Sequence, residues 1–222
     1  MVTSRSRKRV AVLISGRGSN MTALIEAAKD PSYPAEVALV LSNNPDAGGL
    51  QYAAAAGIAT RTIDHRTYGR DREAFEHAIQ TELDAHRIEL VCLAGFMRLL
   101  TPWLLGRWNG RMLNIHPALL PSFKGLDTHA RALAAGVKIH GASVHFVVPE
   151  VDSGPIVAQG AVPVLAEDRE DTLAARVLHI EHKLYPLALK LVAENRVRLV
   201  EGRCLLDNTA ADGVLMVPSK AD

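Results

Sequence analysis

The chain is poor in cysteine, in net charge and in long apolar runs. Its 222 residues include two cysteines, 25 basic residues and 24 acidic residues, which leaves a net charge of +1. Cys92 lies in a short apolar run typical of a buried strand, so we expect a reduced thiol there and no disulfide with Cys204. A charge near zero provides no broad positive field for nucleic acid, and no apolar run is long enough to span a membrane. We therefore expect a globular protein that binds neither nucleic acid nor membrane.

The chain also lacks a secretory signal pattern. Its basic stretch from Ser4 to Arg9 is followed by an apolar run of only about five residues, which is too short for the core of a signal peptide. This pattern indicates a cytoplasmic protein. We expect residues 1–9 to be flexible, residues 10–206 to form one domain, and residues 207–222 to form a loosely ordered tail.

Common catalytic signatures are missing as well. The sequence has no Gly-x-Ser-x-Gly segment, and Cys92 falls inside a strand, so no serine or cysteine nucleophile is evident. No two histidines have the His-Glu-x-x-His spacing of a zinc site, and His179 and His182 lack an evident third ligand. We predict neither a covalent intermediate on the protein nor a bound metal.

What is present is a regular alternation of strand-like and helix-like segments. This alternation predicts an α/β fold with a doubly wound, mostly parallel, Rossmann-like sheet, followed by a small hairpin over Val197–Leu206. The predicted strands cover residues 10–14, 37–41, 59–63, 90–94, 111–116, 141–148 and 156–162, and the predicted helices cover residues 20–30, 49–56, 71–86, 102–108, 128–135 and 172–193.

A glycine-containing loop, Ser15-Gly-Arg-Gly-Ser-Asn20, joins the first strand to the first helix. Such loops direct free backbone N–H groups and a helix N-terminus at an anion, and Ser19 or Asn20 could cap the helix. Met21 stands where a dinucleotide motif has its third glycine, and the second strand leads into Ser42-Asn43-Asn44 instead of an acidic residue. A single phosphate therefore fits better than a pyrophosphate, although a tight turn without a ligand gives the same pattern.

The fifth strand ends at Asn114-Ile-His116-Pro117. Side chains two apart on a strand share a face, and Pro117 cannot donate a ladder hydrogen bond, so the strand should end with an amide and an imidazole side by side. With a carboxylate such as Asp152, these groups suit acyl transfer. Without a protein nucleophile, an amine would attack directly, and Asn114 would hold the oxyanion. His116 would move the proton or, as imidazolium, add a second oxyanion donor, and Asp152 would orient and tune His116. Each residue could also be an ordinary turn former.

Two further features allow more than one interpretation. The turn Gly95-Phe-Met-Arg-Leu-Leu100 is either part of the core or the wall of a flat apolar pocket. Arg72 lies in the first turn of a predicted helix, where the helix dipole disfavours a cation. It is either a surface residue or a group that binds an anionic ligand.

Five motifs in order carry a family resemblance: Ser15-Gly-x-Gly-Ser-Asn20, Leu93-Ala-Gly-Phe-Met-Arg-Leu-Leu100, Leu113-Asn-Ile-His-Pro-x-Leu-Leu-Pro121, His140-Gly-x-Ser-Val-His145 and Val151-Asp-x-Gly-Pro155. From about residue 10 to residue 203 the chain resembles the folate-dependent phosphoribosylglycinamide formyltransferases. The resemblance implies that a formyl group passes from 10-formyltetrahydrofolate, as co-substrate, to the glycyl amine of glycinamide ribonucleotide.

The resemblance also implies roles for individual residues, and Leu178 departs from the polar residue that the family often has near the ribose contact. The implied sites are catalytic Asn114, His116 and Asp152; phosphate-binding Gly18, Ser19 and Asn20; ribose-binding Glu181; and folate-binding Arg72, Met97, Arg98, Leu99, Leu100 and Asn114. The expected partners are the two small-molecule substrates and, in a homodimer, a second copy. A formyltetrahydrofolate hydrolase, which uses water as the acceptor, and a nucleotide-binding module without catalysis are the alternatives.

Overall fold

Strands and helices alternate along residues 7–206, the part of the chain that the computed structural model describes. The strands are β1 (Lys8–Ile14), β2 (Ala35–Ser42), β3 (Ala59–Thr62), β4 (Leu90–Leu93), β5 (Met112–His116), β6 (Ile139–Phe146), β7 (Ile156–Pro163), β8 (Val197–Val200) and β9 (Arg203–Leu206). The helices are α1 (Ser19–Ala28), α2 (Gly49–Ala55), α3 (Arg72–Ala85), α4 (Pro102–Arg107), α5 (Thr128–Ala134) and α6 (Glu170–Ala193), with a 3-10 turn at His65–Tyr68.

The main sheet has seven strands in the order β3-β2-β1-β4-β5-β6-β7. Strands β1 to β5 are parallel, whereas β6 runs antiparallel to both β5 and β7. Strands β8 and β9 form a separate antiparallel hairpin. The predicted α/β class, the doubly wound sheet and the terminal hairpin are therefore confirmed, and the reversed direction of β6 is new information from the structure.

Helices cover both faces of the sheet and create two cores. On one face, which we call the α6 core, side chains of β1 and β5 pack with Met21 and Leu24 of α1 and with Val177 and Tyr185 of α6. On the other face, the α3 core, alternate strand residues pack with Phe75, Ile79 and Leu83 of α3 and with Leu104 of α4. Burial on both faces explains why the parallel strands read as continuous apolar runs.

Several predicted boundaries shift by one or two residues. Strand β1 begins at Lys8, so residues 8 and 9 belong to the sheet and not to a flexible end. The remaining predictions for the two chain ends concern residues 1–6 and 207–222, which lie outside the described part. The prediction that Ser19 or Asn20 caps α1 is wrong: Gly18 holds the cap position in a left-handed conformation with φ of 71°. Between residues 7 and 206, no helix combines the length and hydropathy needed to cross a membrane.

Gly141 permits the close pairing of β6 and β7. A Cβ atom at this position would lie 2.0 Å from the backbone oxygen of Gly160 on the facing strand. Because the Gly160 oxygen and the Cα atom that would carry this Cβ both belong to the sheet backbone, neither can move away without breaking the pairing of β6 with β7.

We expect Gly141→Ala to lower the free energy of unfolding by more than about 2 kcal/mol, because the added methyl group overlaps backbone atoms. Gly106→Ala on α4 is the matched control, since a Cβ atom there meets nothing within 4 Å. The control should leave stability unchanged or raise it by up to about 1 kcal/mol. Urea denaturation followed by circular dichroism measures both, and equal stability of the two variants would contradict the packing described for β6 and β7.

Candidate active site

The candidate site lies at the carboxyl ends of three adjacent strands. Because β4 lies between β1 and β5 in the sheet, their ends place the glycine loop, the segment after Leu93 and the Asn114–His116 pair along one edge. Crevices outside the carboxyl ends of parallel strands are the usual ligand sites of open α/β sheets. The structure therefore brings the predicted groups together at the edge where binding is expected.

Asn114 and His116 project to the same face of β5, as the two-residue period of a strand predicts. The intervening Ile115 packs into the α6 core. Asn114 lies directly opposite His145 in the antiparallel β5–β6 pair, and its Nδ2 is 3.3 Å from the Nε2 of His145. His145 ends the fourth motif of the family resemblance, but no local pattern predicts a role for it. Only the register between β5 and β6 reveals the contact.

Asp152 completes the cluster from the loop between β6 and β7. Its Oδ2 lies 3.3 Å from the Nδ1 of His116, and its Oδ1 lies 3.7 Å from the Nε2 of His145. The backbone N–H of Gly125, in the loop after β5, donates to Oδ2 at 2.9 Å. Asp152 adopts a left-handed φ of 50°, a conformation that aspartate tolerates better than most residues do. The carboxylate thus joins two loops and two strands.

The surroundings of Asp152 favour its charged form. Burial alone would raise the pKa of the carboxyl, but the neighbouring His145 imidazole, the Gly125 N–H and the charge of His116 together outweigh burial. The pKa of Asp152 is therefore lowered from its ordinary value. The side chain is only 9% exposed, so water contributes little to its solvation.

Backbone carbonyls fix one proton on each histidine of the cluster, because a carbonyl oxygen can only accept. The Nε2 of His116 donates to the Phe123 carbonyl at 2.9 Å, and the Nδ1 of His145 donates to the Phe146 carbonyl at 2.9 Å. In neutral His145 the Nε2 is then free to accept from the Asn114 amide. The Nδ1 of His116 faces Asp152, so a proton on Nδ1 has a carboxylate partner.

The glycine loop and α6 meet beside the start of α1. No side chain caps α1 and no acidic residue lies in its first turn, so its first N–H groups remain available to an anion. The Nδ2 of Asn20 donates to the Oε2 of Glu181 at 2.7 Å. Glu181 is buried, and burial raises the pKa of its carboxyl, a shift that the hydrogen bond from Asn20 only partly offsets. The structure thus places Gly18, Ser19, Asn20 and Glu181 in one group.

The segment after β4 forms a second part of the edge. The side chains of Met97 and Leu99 are 70% and 66% exposed, so these two residues are not part of the core, whereas Phe96 is buried. Arg98 and Leu100 are half-buried, and Leu100 packs against the α3 core. The guanidinium of Arg72 donates to the Leu99 carbonyl, which brings Arg72 to this segment.

Metal ligands do not gather at this edge or elsewhere between residues 7 and 206. No group of three or more His, Cys, Asp and Glu side chains in this range has an arrangement that could hold a metal ion.

A family model described as formyl transferase matches residues 8–189, which is most of the chain. The chain belongs to the formyl transferase family. A phosphoribosylglycinamide formyltransferase from Escherichia coli is 46% identical over 198 residues, which cover 89% of this chain and 93% of that protein. A crystal structure of a phosphoribosylglycinamide formyltransferase from Brucella melitensis is 53% identical, with a TM-score of 0.82 over 85% of this chain and 96% of that one.

Other family relatives differ in length or activity. The trifunctional purine biosynthetic protein adenosine-3 of Bos taurus is 51% identical over 88% of this chain, but the match covers only 19% of that protein. A formyltetrahydrofolate deformylase from Pseudomonas syringae pv. tomato shares the fold with a TM-score of 0.83 over 92% of this chain and 67% of that one, at 25% identity. The chain is thus similar to proteins named for transfer to a ribonucleotide and, at lower identity, to one named for deformylation.

We expect His145→Phe to raise the pKa of Asp152, because phenylalanine removes the imidazole that contributes most to lowering it. Carbon-13 NMR of the Asp152 carboxyl during a pH titration measures this shift, and His77→Phe on the exposed side of α3 is the control. A lowered carboxyl pKa stabilises the fold above the ordinary pKa, and this contribution is lost as the pH falls through the lowered value. The stability difference between wild type and His145→Phe should therefore shrink in acid. An unchanged Asp152 pKa in His145→Phe would refute the assignment.

Proposed function

We propose that the chain transfers a formyl group from 10-formyltetrahydrofolate to the glycyl amine of glycinamide ribonucleotide, a step of purine biosynthesis in the cytoplasm. The observation that carries the proposal is the meeting, at one sheet edge, of an acyl-transfer cluster, an uncapped helix start and an exposed apolar segment. The high identity to relatives named phosphoribosylglycinamide formyltransferase supports it.

The catalytic roles follow from the donors and acceptors in the Asp152 cluster. The side-chain N–H of Asn114 would stabilise the negative charge that develops on the formyl oxygen. His116 would carry the proton from the attacking amine, and Asp152 would orient its ring and stabilise its charged form. His145 would orient Asn114 through the contact between Nε2 and Nδ2. Loss of an oxyanion donor of this kind typically costs about two to three orders of magnitude in rate.

The ribonucleotide would bind at the start of α1. The backbone N–H groups of residues 18–20 would hold its phosphate, and the exposed Arg17 in the same loop would add a positive charge. Glu181, held by Asn20, would accept hydrogen bonds from the ribose hydroxyls. Phosphate and ribose contacts at one end and the Asp152 cluster at the other would then align the amine for attack.

The folate would bind against the segment 97–100, with Arg72 near its acidic part. The exposed side chains of Met97 and Leu99 would cover the flat ring system, and Arg98 and Leu100 would complete that wall. The folate supplies the formyl group, and the chain supplies the orientation, the oxyanion donor and the proton carrier.

Hydrolysis of the same folate is the second candidate, since the family includes a deformylase with this fold. A hydrolase would need the Asp152 cluster, but it would have no use for an uncapped helix start together with the Asn20–Glu181 pair. These features favour a phosphate-bearing acceptor over water. The further activities of the trifunctional relatives are not proposed here, because the chain spans about a fifth of their length.

An acceptor-dependence assay tests the proposed function. Consumption of 10-formyltetrahydrofolate should require glycinamide ribonucleotide, and the product should contain one formyl group per folate consumed. Formate release without the ribonucleotide should be negligible, because no residue is proposed to activate water. Absorbance spectroscopy follows the folate, and mass spectrometry identifies the product.

Two variants sharpen this assay. His116→Ala should lower kcat by about a hundredfold or more, since it removes the proposed proton carrier. Gly18→Ala should mainly raise the KM for the ribonucleotide, because alanine is strained at a φ of 71° and its Cβ would lie 3.1 Å from Met21. Rapid formate release without the ribonucleotide would favour the hydrolase, and equal rises in both KM values for Gly18→Ala would contradict the phosphate site.

A further inference from the structure

The segment from Met97 to Thr101 keeps large apolar side chains in solvent although no strand or helix pairing holds its backbone. It lies between the end of β4 and the start of α4 and has no regular secondary structure. Met97 and Leu99 would lose exposed surface if the segment collapsed onto the protein. Specific contacts must therefore keep it in place.

Ser15 holds the first residue of this segment. The backbone N–H of Met97 donates to the Ser15 hydroxyl at 2.8 Å, and the Ser15 N–H donates to the Gly95 carbonyl at 3.1 Å. Because the hydroxyl accepts from Met97, its own proton is free to go to the side-chain oxygen of Asn43, which is 3% exposed. Ser15 is also the first residue of the glycine loop, so its side chain connects the glycine loop with the Met97–Thr101 segment.

Glu76 holds the last residue. Its carboxylate is 1% exposed and accepts from the Thr101 backbone N–H at 2.6 Å and from the Thr101 hydroxyl. Thr101 is the cap residue of α4, yet its side chain makes no capping hydrogen bond to that helix. The threonine hydroxyl therefore serves the contact with Glu76 instead of the helix. A buried carboxylate with two donors from one residue is a well-oriented anchor.

The anchors recur every second residue. Ser15 binds the backbone of Met97, Arg72 binds the backbone of Leu99, and Glu76 binds Thr101. Arg72 and Glu76 lie one turn apart on α3, so both reach the segment from the same face of that helix. Three side chains thus fix the backbone while the apolar side chains of Met97 and Leu99 remain exposed.

We propose that Ser15 and Glu76 are positioning residues for the folate site, which act through the backbone of Met97 and Thr101 and not by touching the folate. This inference rests on the proposed function, since that proposal assigns the segment to the folate. It also makes Ser15 a link between the two substrate sites: a residue of the phosphate loop should influence folate binding.

The test compares Thr101→Val with Thr101→Ser. Valine has nearly the shape of threonine but lacks the hydroxyl that Glu76 accepts, whereas serine keeps it. Ser15→Ala removes the acceptor of the Met97 N–H in the same way. The matched control is Thr81→Val, which removes an exposed hydroxyl from α3. That hydroxyl donates to the His77 carbonyl and not to the Met97–Thr101 segment. For each variant, isothermal titration calorimetry measures the dissociation constant of a folate analogue that lacks a transferable formyl group, and steady-state kinetics gives both KM values.

We expect Thr101→Val and Ser15→Ala each to weaken binding of the analogue by about three- to tenfold, the usual effect of one net hydrogen bond. Thr101→Ser and Thr81→Val should bind it as the wild type does. The KM for the folate should rise in the two weakened variants with kcat nearly unchanged. Thermal melting checks the fold, and if Ser15→Ala does not fold, the pair of Thr101 variants decides the question.

Wild-type affinity for the analogue in both Thr101→Val and Ser15→Ala would overturn the positioning role. Equal losses in Thr101→Val and Thr101→Ser would also overturn it, because the hydroxyl would then be irrelevant. Failure of the proposed function looks different: the wild type itself would neither bind the analogue nor consume the formyl donor.

Discussion

The candidate site depends on one buried carboxylate that contacts two imidazoles and accepts a hydrogen bond from a backbone N–H. Asp152 contacts His116, His145 and the N–H of Gly125, which come from the end of β5, from β6 and from the loop after β5. A buried charge is tolerated only with such partners, so the partners also fix the position of the loop that carries it. The antiparallel return of β6 makes this possible, because it places His145 directly opposite Asn114. The register of β5 and β6 therefore sets the geometry of the candidate catalytic residues.

Two other buried carboxylates lie near the same sheet edge, and they accept different numbers of hydrogen bonds. Glu76 accepts two hydrogen bonds from Thr101. Glu181 accepts one from Asn20, and burial leaves the pKa of its carboxyl raised. An ionised Glu181 at neutral pH costs folding stability, since the fold favours its protonated form. Under the proposed function, hydrogen bonds from the ribose hydroxyls would supply the missing partners, which is a common trade of stability for binding.

Local sequence patterns predicted the strand–loop–helix order, the end of β5 before Pro117 and the common face of Asn114 and His116, because these features depend on neighbouring residues. Residue chemistry suggested Asp152, and the family resemblance implied roles for Glu181 and Arg72. In the structure Asp152 contacts His116, Glu181 contacts Asn20 and Arg72 contacts the Leu99 carbonyl. Local patterns could not predict the role of His145, which requires the register of β5 and β6. They also missed Glu76, because its contact with Thr101 joins residues 25 positions apart. The cap of α1 was predicted wrongly because a left-handed glycine replaced a side-chain cap.

The central claim is that one sheet edge aligns a phosphate-bearing amine with a formyl donor beside Asn114, His116 and Asp152. A crystal structure of the chain with glycinamide ribonucleotide and a folate analogue that lacks a transferable formyl group tests it most directly. We expect the phosphate at the start of α1, the folate ring system against Met97–Leu100, and the glycyl amine between them within hydrogen-bond reach of the Asn114–His116 pair. A phosphate bound elsewhere, or an amine far from His116, would refute this alignment of the substrates.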